Sequence, residues 1–507
     1  MPRGALLAAL LLSCLLITGC QDQQRETIRM GLANGPLNLD PRYATDATSE
    51  RVNRLLYQRL VEFDPDSRPR PGIASWQAIT PTHYRFTLNQ HAGNFSHDRE
   101  LTSRDVVATY RQVLDPALAS PKRASLELIA SMQEVDTRHL DFHLKRADPL
   151  FPAYLTLDIL PAELIEQNHD FAREPVGSGA FELLDWPQAG ELHLRRRSDG
   201  QHFQLLTVNN PTVRVLKLLR SEIDLLQNDI SPELIGYLHR QPSVSVEQHP
   251  GSNYTYIGFN LQDPLTGRLQ IRQAIAHAID RQAIIHWVMQ GAARQAGSLF
   301  PPEHWASDQL APYEYNPDKA RALLAELGYS DKNPLRLTYK TSSDPFRIRL
   351  ATVIQSQLKA VGIDIDLRSY DWGTFFGDIK QGNFQLYSLS WVGIRTPDIY
   401  RDIFASDSLP PSGANRGRYA SRTVDQLLKR AEQTSSLSAQ AELYQQVAAE
   451  LHRDLPYIPL WYEDQLSAQG RRIEGYKLMS DGNYDGLAQV KLKSVPDGNH
   501  VQSTTAN

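Results

Sequence analysis

The chain has 507 residues, a formal net charge of −5 at pH 7, and acidic and basic residues mixed along its length. That balance excludes a nucleic-acid binder built on a basic face and a polybasic membrane patch. The length exceeds what one hydrophobic core organises, so two or three domains are expected.

Arg3 precedes an almost unbroken apolar run, Ala5 to Ile17, followed by Thr18-Gly19-Cys20. The run is too short to span a bilayer and carries the small residues of a cleavage site, so residues 1–19 are expected to be a signal peptide. A cysteine directly after Gly19 is similar to a bacterial lipobox, in which a lipid joins the Cys20 thiol and cleavage frees its amine. The expected location is the periplasm or cell envelope, as a membrane-attached lipoprotein. The only other cysteine, Cys14, lies in the segment removed, which leaves no disulfide and no cysteine metal site.

Past this leader, Thr27 to Ala33 alternates as a strand, and Thr48 to Tyr57 carries Val52, Leu55 and Leu56 at helical spacing. Tyr84 to Leu88 alternates strictly, and Thr102 is placed to cap a helix reaching Leu114. Val176 to Phe181 is a glycine-rich approach to a strand, and Asn253 to Leu261 is a strand with aromatics at 254, 256 and 259. Leu269 to Met289 reads as one long amphipathic helix stopped by Gly291. Asn316-Pro317-Asp318 opens another, which Gly328 ends. Thr338 to Tyr370 reads strand, helix, strand. "GNFQLYSLSWVGIRTPDIY", Gly382 to Tyr400, is a strand ending at Trp391 and broken at Gly393 and Thr396-Pro397. Val424 to Asp454 reads as two helices interrupted near Thr434 to Ser438, and Pro456 to Tyr462 closes as an aromatic strand. The tail from Pro496 to Asn507 is polar and turn-rich.

No catalytic constellation emerges. Gly177-Ser178-Gly179 lacks the spacing of a nucleophile elbow, and no phosphate-cradling glycine loop is present. His139 and His143 share one face of a strand-like stretch, but two histidines without a third ligand do not make a metal site. No enzyme activity, cofactor or metal is expected. Trp372, Trp391, Trp461, Tyr254, Tyr256 and Tyr462 fall at strand ends or strand–loop junctions, where they fill a core or line a cleft.

Five segments, in order, resemble the family 5 solute-binding proteins of bacterial ABC importers, the oligopeptide, dipeptide and nickel-binding group. They are "YRFTLNQHAGNFSHDRELTSRDVVATYRQVLDP", "PVGSGAFELLDW", "IGFNLQDPLTGRLQIRQAIAHAIDRQAIIHWVMQGAARQAGSLFPP", "YNPDKARALLAELGY" and "LYQQVAAELHRDLPYIPLWY". The resemblance implies an α/β periplasmic-binding-protein type II clam-shell, two lobes with an additional inserted domain. Domain I would comprise residues 20–60, 176–262 and 464–495, domain II residues 61–175, and domain III residues 263–463, with 496–507 a flexible tail. It further implies a monomer that captures a peptide or peptide-like solute between the lobes and passes it to an inner-membrane permease. The competing readings are a ligand sensor of the same fold without transport, and a periplasmic hydrolase.

In peptide-binding members of the family, the strand ending at Trp391 and the Asp371-Trp372 segment each supply a pocket aromatic. Asn34 and Gly35, together with Tyr254 and Tyr256, would come from the opposite lobe. Peptide binders usually place an aspartate three residues after the second tryptophan to meet the peptide ammonium. Here that position is Ile394, followed by Arg395. Either Asp398 substitutes, or the ligand presents no free N-terminus there; Arg395 either invites an anionic group or points to solvent. Arg416 and Arg418 follow on a loop and line the cleft mouth or face solvent.

Overall fold

The computed structural model describes residues 26–493 apart from His91, Ala189 and Ser435. The expected signal peptide, Cys20 and the expected flexible tail lie outside the described residues.

Two long strands, Val244–Phe259 and Tyr457–Gly470, pair antiparallel and join everything else. They sit in the middle of an 11-stranded sheet. From Tyr457–Gly470 the sheet passes to Leu225–Gln227, then to Ile28–Leu32 and His202–Thr207 in parallel, and ends in Glu191–Arg196 and Phe181–Gln188. From Val244–Phe259 it passes to Leu386–Trp391, Leu335–Ser342 and Ile363–Tyr370. One sheet therefore floors both lobes.

Its pairing shifts register between His249 and Asn253, where Pro250-Gly251 leaves the ladder. A Cβ on Gly251 would lie 2.2 Å from the Glu463 carbonyl oxygen, so the neighbouring strand admits only glycine there. Residues 244–249 pair on the first-lobe side of this kink, and 253–258 on the second-lobe side.

The inserted unit has its own four-stranded sheet, Ala74–Thr80, His83–Leu88, His139–Leu144 and Ile129–Glu134 in spatial order. Helix Ser103–Leu114 packs Tyr110 against Phe142 to close that core. Thr102 caps it as expected, in a capping box with Asp105. In the second lobe, helices Arg422–Gln433 and Leu437–Asp454 form the expected pair, and Tyr444 stacks on Tyr400.

Two elements differ from the sequence reading. The segment from Leu269 to Met289 is not one helix. It runs Leu269–Ala278, turns extended at Ile279, restarts at Arg281–Ala283 and ends in a wide turn, Ile284–Val288. The cause is Arg281, buried at 1 % exposure. Its guanidinium takes the carbonyls of Ala276, Ile279 and Pro459, which removes two of them from the helical ladder. The strands expected at Asn253–Leu261 and Pro456–Tyr462 are also much longer than their apolar parts. Around the kink they carry Glu247, Gln248 and His249 against Glu463, Asp464 and Gln465, a polar stretch that hides the strand signal.

Gly251→Ala is expected to destabilise the protein by about 1–3 kcal/mol, because the Glu463 strand must move to admit the methyl group. Urea unfolding measures it; an unchanged midpoint would show that the kink tolerates a side chain.

Candidate functional site

Strand Leu386–Trp391 pairs along its whole length with Tyr254–Phe259, but with Leu335–Ser342 only at Leu386 and Tyr387. From Ser388 onward its second edge has no strand partner among the described residues. Alternation sends Ser388 and Ser390 to one face and Leu389 and Trp391 to the other. A cavity of about 180 Å³ opens beside this edge, walled by Thr341, Ser342, Trp372 and Phe375.

The charge in this cavity is an ion pair. Arg347, in the first turn of helix Pro345–Lys359, places Nη1 2.8 Å from Glu463 Oε1. Thr255 Oγ1 donates to the same oxygen at 2.9 Å and accepts from Ser390 at 2.6 Å. Burial pushes the Glu463 carboxyl up, but the Arg347 charge and these hydrogen bonds outweigh it and hold the group below the usual carboxylate range. The remaining Arg347 N–H groups have no hydrogen-bond partner among the described residues and face a cavity of hydroxyls and aromatic rings.

A second cation stands on the other face of the strand. Trp372 stacks on Phe376 at 5.3 Å and 9°. The Arg416 guanidinium lies 5.2 Å from the Phe376 ring centre and 4.7 Å from that of Trp391. Its Nη1 approaches the Tyr256 hydroxyl at 3.4 Å. No carboxylate among the described residues lies within ion-pair distance of it, so π faces hold the cation, although its charge still acts on the Asp402 carboxyl.

Of the residues named from sequence, Trp391 and Trp372 are at this site; Trp391 is partly exposed and Trp372 is 59 % exposed. Tyr254 and Tyr256 are not opposite them. They belong to the same sheet, Tyr254 in register with Trp391 and Tyr256 with Leu389, because their strand crosses the kink. Both are buried; Tyr256 is inaccessible and stacks on Tyr457 at 3.9 Å. Asn34 and Gly35 sit at the end of the first strand, where Asn209 Nδ2 donates to the Ala33 carbonyl and Gly35 lies against Thr207 and Gly190. No hydrogen bond or ring contact joins them to either tryptophan among the described residues.

Arg395 neither faces solvent nor waits for an anion. It binds Asp481 at 2.8 Å and covers the Phe63 ring at 5.2 Å, tying the loop after Trp391 to the C-terminal segment of the first lobe. Asp398 lines a different cavity, beside Asp148. Arg418 donates to the Lys380 and Arg416 carbonyls and acts as a loop brace. His143 stacks on His83 at 4.4 Å, and no group of three or more metal-ligating side chains occurs among the described residues. The sequence reading missed Arg347, Glu463, Ser388 and Ser390. The alternation in "LYSLSW" signals the serines; nothing local signals the ion pair, whose members are 116 residues apart.

An open strand edge, aromatic walls and paired or π-held cations make a cavity suited to a small extended solute. The chain matches, over residues 68–408, the family described as "Bacterial extracellular solute-binding proteins, family 5 Middle", and belongs to it. It is a solute-binding protein of the transport type and not an enzyme. It is 26 % identical to the di/tripeptide-binding protein 2 of Pseudomonas aeruginosa, over 97 % of this chain and 99 % of that one. It is 25 % identical to the heme-binding protein A of Haemophilus influenzae, over 94 % of each. The solved DppA of Helicobacter pylori, in complex with a peptide, superposes with a TM-score of 0.74 at 25 % identity, over 93 % of this chain and 100 % of that one. The fold is the type II clam-shell with an inserted domain.

Glu463 has a depressed carboxyl value in the fold, so its contribution to stability is complete above the unfolded carboxyl value of about 4.3 and is lost as pH falls through the folded value. Glu463→Gln is expected to flatten the acid limb of a melting-temperature profile; a limb as steep as that of the wild type would contradict the assignment. Arg395→Ala and Asp481→Ala are each expected to favour open lobes by about 1 kcal/mol, roughly a fivefold shift in the closed-to-open ratio. Small-angle scattering reads this as a larger radius of gyration, with the double variant no larger than either single one.

Proposed function

We propose that the protein is the substrate-binding component of an ABC importer, capturing a peptide or peptide-like solute between its lobes and delivering it to a membrane permease. It works as a monomer in the periplasm or cell envelope, held to the membrane by a lipid on Cys20. The observation that carries the reading is the unpaired edge Ser388–Trp391. An extended peptide adds to such an edge through main-chain hydrogen bonds, and the flanking cavity reads its alternate side chains. The names of the di/tripeptide-binding relative and of the peptide-bound structure support the same ligand class.

The hinge in this reading is the kink at His249–Asn253 against Glu463. It agrees with a domain III that ends at 463, and it moves that domain's start on the partner strand from 263 to the kink itself. In this reading domain I keeps its expected segments 20–60 and 464–495 and the part of 176–262 that precedes the kink, and 61–175 is the insertion. Ile394 offers no carboxylate to a peptide ammonium. Arg416, held between Phe376 and Trp391, instead favours a solute that presents an acidic group there.

Native mass spectrometry of the purified protein, followed by calorimetry with the ligand it carries or with a dipeptide panel, tests the reading. Trp391→Ala is expected to weaken binding by about 2 kcal/mol or more; unchanged affinity removes Trp391 from the pocket. Arg416→Gln is expected to weaken acidic peptides more than neutral ones, and equal losses would contradict its role.

A further inference from the structure

A cavity of about 280 Å³ lies between the inserted domain and the second lobe, sharing no lining residue with the one beside Ser388. Asp148 and Tyr154 come to it from the insertion, Asp398 from the loop after Trp391, and Gln440 and Tyr444 from helix Leu437–Asp454. Asp402 and Glu432 add further negative charge. The two arginines on its wall are half exposed and engaged: Arg401 with Asp407 at 2.9 Å and Glu432 at 3.1 Å, Arg146 with Asp148 at 3.7 Å.

Two enclosed acceptors here have no partner among the described residues, Asp398 Oδ1 and Gln440 Oε1. Gln440 is 1 % exposed, and its Nε2 donates to the Ala431 carbonyl at 3.1 Å. That bond fixes which end of the amide is oxygen. Asp148 is 4 % exposed and accepts from the Leu150 N–H at 2.9 Å and the Tyr154 hydroxyl at 3.2 Å. Buried acceptors without donors are rare, and two on one wall beside a buried carboxylate ask for a cationic donor. A metal ion does not fit, since no group of three or more His, Cys, Asp or Glu among the described residues could hold one. An anion would meet four carboxylates.

We propose that this cavity is a second ligand site, for a primary ammonium group that donates to Asp398 Oδ1 and Gln440 Oε1 in the field of Asp148, between the Tyr154 and Tyr444 rings. Burial, with the Asp148 charge added, holds the Asp398 carboxyl above its usual range, and burial raises Asp148 as well; a bound cation opposes both effects. The ligand ties the insertion to the second lobe. It does so through the loop that carries Arg395, the residue that pairs across the lobes with Asp481. The site stands whether or not the interlobe cleft takes peptides.

Isothermal calorimetry on the full protein tests it, with n-butylamine hydrochloride as a free amine and Nα-acetyl-lysine amide as a side-chain source. 1-Butanol and sodium butyrate are the neutral and anionic controls. Saturable binding of an amine and of neither control is expected. Asp398→Asn and Gln440→Leu are each expected to weaken it about tenfold or more, with melting curves confirming that each variant is folded. Gln440→Leu alone carries the test if Asp398→Asn does not fold, and it leaves binding in the interlobe cleft intact. Stronger binding of butylamine identifies a free amine as the ligand, and stronger binding of the lysine derivative a peptide side chain; either supports the site. No saturable amine binding, or binding undiminished in the folded variants, overturns it.

Discussion

The structure depends on one pairing, between Val244–Phe259 and Tyr457–Gly470, and on its interruption at Pro250-Gly251. Because both lobes hang from the same two strands, they share main-chain hydrogen bonds and cannot slide past one another. They can bend where the ladder is already broken. Hinge motions use a few backbone positions that absorb a change in dihedral angles, and in the proposed reading those positions lie where the Glu463 carbonyl leaves no room for a side chain on Gly251.

Glu463 connects that hinge to the cleft. Its backbone pairs with Asn253 at the kink and its carbonyl lies over Gly251, while its carboxylate holds Arg347 at the cavity wall. A solute that touches Arg347 therefore touches the partner of Glu463, the residue opposite the kink that the proposed function takes as the hinge. On the far side, Arg395 and Asp481 join the lobes through an ion pair of the protein's own. A ligand shifts an equilibrium only by its differential contact with the two states, and the Arg395–Asp481 pair is the protein's own link between the loop after Trp391 and the C-terminal segment.

Much of the fold was legible because its signals are local. The Thr102 cap, the break between Gln433 and Leu437, and the glycine stop at Gly328 all lie within a few residues of what they determine. The failures share a different cause. The helix from Leu269 was cut by Arg281, whose partner Pro459 is 178 residues away. The crossing strands exceed their expected length because polar residues flank the kink at Pro250-Gly251, where a buried strand would be apolar. At the site, Trp391 was legible as a strand-end aromatic, whereas Trp372 opens the helix Trp372–Gln381. Tyr254 and Tyr256 carry the same composition and are core, since only the register of a long strand decides which lobe they join. Arg395 was read as ligand-facing because Asp481, 86 residues on, is invisible from its neighbourhood.

Hydrogen–deuterium exchange with and without saturating dipeptide, on the protein freed of any ligand it carries, tests the central claim most directly. The account predicts slowed exchange at Ser388–Trp391, the edge that a bound peptide would pair, together with slowed exchange around the kink at His249–Asn253. Protection confined to other segments, with Ser388–Trp391 exchanging as fast as before, would contradict it.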